Sequence, residues 1–163
     1  MGKLYTLGKD FHYVYDDEFK SSEELIEILM DIVCKGGNLA LNVSPQPDGR
    51  MPKNAIKSIN EFGNWLKTYG EAVFKTRPCA PYKDNDIFYT QTREFIYATA
   101  KDFKDGFIIC EQQISKVEFL NDHSVVAFEK TDKGIRIKAP ILTDGKFSVF
   151  KLYKELGAKG TIC

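Results

Sequence analysis

One short stretch constrains this chain more than any other. Asn38-Leu39-Ala40-Leu41-Asn42-Val43 is an apolar run with helical sequence on both sides, and it reads as a buried strand. Ahead of it, Ser21-Ser22-Glu23-Glu24 reads as a capping box, with Ser21 as N-cap and Glu24 three residues on. Leu25, Ile28, Leu29, Ile32 and Val33 then recur at helical spacing, Ile26 widens the stripe, and Gly36-Gly37 ends the helix through a left-handed residue. Behind the strand lies the loop Ser44-Pro45-Gln46-Pro47-Asp48-Gly49-Arg50, in which Pro47-Asp48-Gly49 is a turn. A second helix is predicted from residue 53 to residue 69, with Ile56, Ile59, Phe62, Gly63 and Leu66 as its stripe and Gly70 at its end. A buried parallel strand needs strand neighbours on both edges. The first half offers one more at most, around residues 4–6. Two arrangements answer this: the unit is the tail of a larger α/β domain, or residues 39–43 join a later sheet in a compact α+β domain.

The pattern changes near residue 80. Strand signals follow at residues 87–91, 94–100, 107–111, 116–120, 124–129, 135–139 and 147–153. Lys104-Asp105-Gly106, Asn121-Asp122, Asp132-Lys133-Gly134 and Thr143-Asp144-Gly145 separate them as turns. Short strands at this spacing predict an antiparallel sandwich or barrel. Their aromatic residues (Phe88, Tyr89, Phe95, Tyr97, Phe119, Phe128, Phe147 and Phe150) alternate along the strands, which is a core pattern. No internal repeat or low-complexity tract interrupts the chain.

Charge and cysteine usage narrow the function. Lys and Arg together number 23, as do Asp and Glu, so the formal net charge is zero. Nucleic-acid binding driven by counterion release needs a basic surface and is not expected. No apolar run approaches the roughly 20 residues that cross a bilayer, so no membrane partner is expected. The opening residues Met1-Gly2-Lys3-Leu4-Tyr5-Thr6 carry no apolar segment of the signal-peptide kind. Cys34, Cys79, Cys110 and Cys163 lie far apart, with no CxxC pair to suggest zinc or a redox motif, and are expected as free thiols. Cys34 and Cys110 read as small buried hydrophobes, and Trp65 as a packing residue on its helix. His12 and His123 are isolated, so no metal site is expected.

The residues around the central strand carry a resemblance. Lys35-Gly36-Gly37-Asn38-Leu39-Ala40-Leu41-Asn42-Val43-Ser44-Pro45, with Asp48-Gly49-Arg50-Met51-Pro52, resembles a signature of the α-L-fucosidases of glycoside hydrolase family 29. Phe19-Lys20-Ser21-Ser22-Glu23-Glu24-Leu25-Ile26, Gly63-Asn64-Trp65-Leu66 and Tyr69-Gly70-Glu71-Ala72-Val73-Phe74-Lys75-Thr76-Arg77-Pro78 are similar to flanking motifs of that family. The likeness is dense from about residue 5 to residue 78. It implies an α+β chain: the end of a (β/α)8-type barrel (helix, strand, helix) over residues 1–78, then an antiparallel β-sandwich over residues 79–163. The strand at 39–43 would be the last of the barrel, with most of the barrel lying elsewhere.

The resemblance also implies chemistry. Retaining glycosidases hold two carboxyl groups about 5–5.5 Å apart, one a nucleophile and one an acid/base. The family's Asp nucleophile lies on an earlier barrel strand, and no residue here matches it. The acid/base of some members is a Glu on the loop before the Lys20-Ser21 segment, which makes Glu18, Asp16 and Asp17 the candidates for that role. The alternative for this run is a solvated acidic loop ahead of a helix N-terminus, where negative charge suits the macrodipole. Phe11, His12 and Tyr13 replace the family's Trp-Gly-Tyr and are candidate substrate contacts; Phe11 and Tyr13 would supply an apolar wall for the fucose methyl group or serve the core. Asn42, at the carboxyl end of its strand where barrel enzymes place their sites, would bond to the sugar or a catalytic loop, or else support the 45–49 loop.

The function this implies is hydrolysis of α-L-fucosyl linkages in a fucosylated glycan or glycoconjugate, with no cofactor and with the remainder of the barrel as a required partner. On this view the chain alone is inactive. A non-catalytic carbohydrate-binding or structural β-sandwich module is the alternative, and a degenerate remnant persisting as a homo-oligomer is a third reading. The family includes secreted, periplasmic and lysosomal members, so the compartment stays open.

Overall fold

The computed structural model describes residues 2–103, 106–137 and 146–155. The expected turn at 143–145, parts of the expected 104–106 turn and 135–139 strand, and Cys163 lie outside them. Strand β1 (Gly2–Thr6) leads to helix α1 (Ser22–Val33), then strand β2 (Asn38–Asn42) and helix α2 (Lys53–Tyr69), which tightens into a single 3-10 turn (Gly70–Ala72). The capping box forms as expected: the Glu24 N–H donates to Ser21 Oγ at 3.2 Å, and the Ser21 N–H donates to Glu24 Oε2 at 2.7 Å. Helix α1 ends at Cys34, and Gly36 then turns the chain at φ +77°.

Strand β2 pairs with β1 in parallel, Asn42 lying opposite Thr6. It therefore does not join the later sheet. Neither is it fully buried, as its apolar run suggests: Ala40 is exposed, while Leu39 and Leu41 are half-buried. The helices cover one face of the two-stranded sheet, so alternate residues meet solvent. Ile56 departs from its expected stripe, being 43% exposed near the start of α2. That helix buries Ala55, Trp65 and Tyr69 instead.

The second half is a β-sandwich. Strand β3 (Arg77–Asp84), which the strand signals did not announce, opens a six-stranded antiparallel sheet. It is joined by β4 (Ile87–Gln91), β5 (Phe95–Ala100), β7 (Ile114–Phe119), β8 (Ser124–Val125) and β11 (Ser148–Lys154), in the order β3-β4-β5-β11-β7-β8. Strands β6 (Phe107–Ile109), β9 (Phe128–Thr131) and β10 (Gly134–Ile137) form the smaller sheet, in the order β6-β10-β9. The expected 124–129 strand is thus two, β8 and β9, in different sheets.

Both faces of the larger sheet are buried. Tyr89, Ile96, Ala98, Val117, Phe150 and Leu152 pack toward Ile108, Ile135 and Ile137 of the smaller sheet. From the opposite face, Phe88, Tyr97, Leu120, Phe147 and Val149 pack against Ile26, Leu29, Met30, Trp65 and Tyr69 of the helices. Each such side chain taken from water stabilises by about 1.5–3 kcal/mol. A third cluster, Leu7, Leu25 and Ala55 with Phe19, Leu41 and Val43, fixes the helices on β1 and β2. The order of layers is therefore two-stranded parallel sheet, helices, six-stranded sheet, three-stranded sheet. Cys34, Cys79 and Cys110 are buried free thiols within these cores.

Candidate functional site

The candidate site lies beyond the carboxyl ends of β1 and β2, where residues 7–20 loop over toward α1 and residues 43–52 toward α2. Three fixings hold the first loop. Lys20 reaches back along β1, and its ammonium donates to the Thr6 carbonyl at 2.8 Å and the Gly8 carbonyl at 3.3 Å. Asp17 turns its carboxylate onto the backbone, where the Lys9 N–H bonds both oxygens at 3.2 Å. Asn42 Nδ2 and Ser44 Oγ both donate to the Phe11 carbonyl, at 3.0 and 2.6 Å. One carbonyl of the first loop is thus gripped by two side chains at the end of β2.

Of the expected site residues, these fixings join Asn42 to the backbone of Phe11. Asn42 grips the 7–20 loop rather than supporting residues 45–49, because Ser44, not the turn beyond it, shares its acceptor. The Phe11 ring is 57% exposed, His12 is exposed and Tyr13 is half-buried. The three carboxylates occupy unlike places. Asp16 is exposed in a left-handed turn at φ +56°. Asp17 is half-buried and committed to the backbone. Glu18 is exposed and pairs with Lys9 at 2.8 Å, a contact that pushes the Lys9 ammonium above its usual pKa.

Sequence reading missed Gly8, Lys9, Lys20 and Ser44 as members of this arrangement. Gly8 has the clearest requirement: a Cβ there would stand 1.9 Å from Asp17 Oδ2. Lys20 and Ser44 were visible within the fucosidase-like motifs, yet nothing in spacing says that a lysine caps a strand end or that a serine shares an acceptor. Among the described residues, no three His, Cys, Asp or Glu side chains gather where they could hold a metal ion.

Among the described residues, the sandwich offers no comparable arrangement of bare aromatic rings. Lys151 sits over the Phe95 ring at 4.3 Å while bonding Glu71 at 2.7 Å, and Lys116 sits over the Tyr153 ring at 4.6 Å. These ammonium groups occupy ring faces that a sugar would use.

Known proteins resemble the chain in both sequence and fold. A family model described as alpha-L-fucosidase matches residues 2–71. The plasma alpha-L-fucosidase of Rattus norvegicus is 34% identical over 86 residues, covering 50% of this chain and 19% of the relative. The alpha-L-fucosidase of Dictyostelium discoideum is 28% identical over 145 residues, covering 83% of this chain and 30% of the relative. Among solved structures, Thermotoga maritima alpha-fucosidase in complex with fucose superposes with a TM-score of 0.80 at 26% identity, covering 93% of this chain and 39% of that one. Alpha-L-fucosidase isoenzyme 1 from Paenibacillus thiaminolyticus shares the fold with a TM-score of 0.83 at 23% identity over 94% of this chain and 39% of that one. The chain thus spans well under half the length of these proteins. Its strand-end loops, helix caps and sandwich all fall within the shared architecture, and the chain is similar to a portion of the α-L-fucosidases.

Proposed function

We propose that this chain supplies the end of the catalytic barrel and the sandwich of a retaining α-L-fucosidase. Residues 1–78 form the barrel end and residues 79–163 the sandwich. The substrate class is a fucosylated glycan or glycoconjugate, and the remainder of the barrel brings the nucleophile. The observation that carries this reading is the parallel β1–β2 pair, whose carboxyl-end loops are held together at the Phe11 carbonyl and fall within the family match.

Within that role the residues divide by what they touch. Glu18 is the acid/base candidate, since among the described residues its exposed carboxylate is bound only by the Lys9 side chain. Asp17 is a positioning residue, because moving its carboxylate would strip the Lys9 N–H of its acceptor. Asp16 remains the second candidate for the acid. Phe11, His12 and Tyr13 face the substrate, and Asn42 sets their height above the strands through the Phe11 carbonyl. A retaining site needs a second carboxyl about 5–5.5 Å from the acid, and no residue of this chain is assigned to it.

The test is nitrophenol release from an aryl α-L-fucoside. The folded 163-residue chain alone is expected to give none. A chimera in which it replaces the corresponding portion of the Thermotoga maritima enzyme is expected to release nitrophenol, and Glu18→Gln in that chimera to abolish it. A folded but silent chimera would overturn the reading. Turnover by the isolated chain, lost in Glu18→Gln, would show instead that a complete carboxylate pair lies within it.

A further inference from the structure

A cleft lies at the seam between the helices and the larger sheet. It has a volume of about 530 Å³ and lies between the first turn of α1, the second half of α2 and the residues flanking β7 and β11. This falls within the roughly 300–1,000 Å³ that small-molecule sites span.

The walls are chemically mixed in a specific way. Trp65 and Phe119 give an apolar surface. Trp65 cannot turn freely, because its indole N–H donates to the Phe147 carbonyl at 2.9 Å. On the rim, Asn121 Oδ1 accepts from the Tyr69 hydroxyl at 3.1 Å, which commits its amide oxygen and leaves its NH2 as a donor. The Asn64 amide is exposed and makes no hydrogen bond among the described residues, so it offers both a donor and an acceptor. Glu61 accepts from Ser22 Oγ through one oxygen, at 3.3 Å, and keeps the other.

Paired donors and acceptors around an apolar wall complement a ligand whose hydroxyls both give and accept hydrogen bonds and whose ring has an apolar C–H face. Charge excludes the main competitors. Two carboxylates, Glu23 and Glu61, line the cleft against one ammonium, Lys146. A phosphate or other anionic ligand would meet net repulsion. We infer that this cleft is a second, non-catalytic site for a neutral mono- or disaccharide. The inference does not depend on the fucosidase chemistry proposed above, since none of its residues belongs to the strand-end loops.

The test is isothermal titration of the 163-residue chain with lactose, N-acetyllactosamine and L-fucose, alongside amide-shift mapping by NMR. Saturable binding of at least one sugar is expected, with shifts concentrated at residues 61–69 and 119–121. The double variant Asn64→Ala/Asn121→Ala should weaken that binding about tenfold, the effect of losing two neutral hydrogen bonds. Lys57→Ala, on the exposed surface of α2 outside the cleft, should leave it unchanged. No saturable binding of any of the three sugars overturns the inference. So does binding whose shifts fall at residues 7–18, even if the double variant fails to fold. In that case the strand-end site is the binder and the reading under Proposed function stands.

Discussion

The Trp65 indole N–H donates to the backbone carbonyl of Phe147 at 2.9 Å, across 82 residues of chain. Trp65 lies on α2 and Phe147 leads into β11, so this buried bond ties the barrel-end unit to the sandwich. The two rings also belong to one core, with Tyr69, Phe88 and Val149 around them. The two halves are therefore expected to unfold together rather than in sequence.

That coupling gives the first prediction. Trp65→Phe keeps most of the apolar volume but leaves the Phe147 carbonyl without its donor, a loss of about 1–3 kcal/mol. Trp65→Ala adds a cavity and should cost about 3–5 kcal/mol. Urea unfolding followed at once by far-UV dichroism and tyrosine fluorescence should show one shared transition in each variant. Separate transitions for helix and sheet would contradict the single core.

Gly8 and Asp17 supply a second prediction. A methyl at position 8 would collide with the Asp17 carboxylate at 1.9 Å, so Gly8→Ala must expel that carboxylate from the Lys9 N–H. The expected cost is about 1–3 kcal/mol. In Asp17→Ala the obstacle is already gone, and Gly8→Ala added to it should cost little. A double-mutant cycle by denaturant titration should return a coupling of about 1 kcal/mol or more. Additive losses would mean that Gly8 is required for another reason.

The grip on Phe11 can be loosened one donor at a time. Asn42→Ala or Ser44→Ala should each cost about 0.5–1.5 kcal/mol. The larger effect should be local: faster amide hydrogen exchange across residues 8–18, with the sandwich strands unchanged. Exchange mapped by mass spectrometry would decide it. Unaltered protection in the double variant would show that Asp17 and Lys20 hold the loop without help from β2.

Acid should act through Glu118. Its carboxylate accepts from Lys116 at 2.7 Å, from His123 at 2.8 Å and from the Tyr153 hydroxyl at 2.8 Å. These donors, Lys116 foremost, hold its pKa near 2 against an ordinary value of 4.5. A depressed folded-state pKa stabilises the native state above the unfolded value and ceases to do so as pH falls through the folded value. Stability should thus decline from about pH 4.5 toward pH 2, and Glu118→Gln should flatten that part of the curve. Urea midpoints at pH 6, 4 and 3 would show it. An equal decline in the variant would assign the acid sensitivity to other carboxylates.

Much of the architecture was legible in the residues themselves. The capping box at Ser21, the whole of α2 from Lys53 to Tyr69, and β4 from Ile87 to Gln91 follow from caps, periodicity and turn residues, which act over a few neighbours. The fucosidase motifs added which larger fold that local pattern belongs to. Local pattern did not reveal β3, where Pro78 and Pro81 mask a strand that pairing with β4 establishes. It could not divide residues 124–131 between two sheets, because the choice of sheet depends on partners distant in sequence.

The sequence by itself determined the helix–strand–helix order of the first half, the strand-rich second half, the resemblance to α-L-fucosidases and the candidate carboxylates at residues 16–18. Only the tertiary structure decided what each of those carboxylates touches. Asp16, Asp17 and Glu18 are neighbours of one chemical kind, yet one occupies an open turn, one is spent on the Lys9 backbone and one pairs with the exposed Lys9 side chain. The reason is physical. A carboxylate's surroundings are set by the donors that reach it, and here those come from Lys9 on a loop folded back on itself, whose Phe11 carbonyl is in turn held by Asn42 31 residues along the chain, a placement that composition and spacing do not encode.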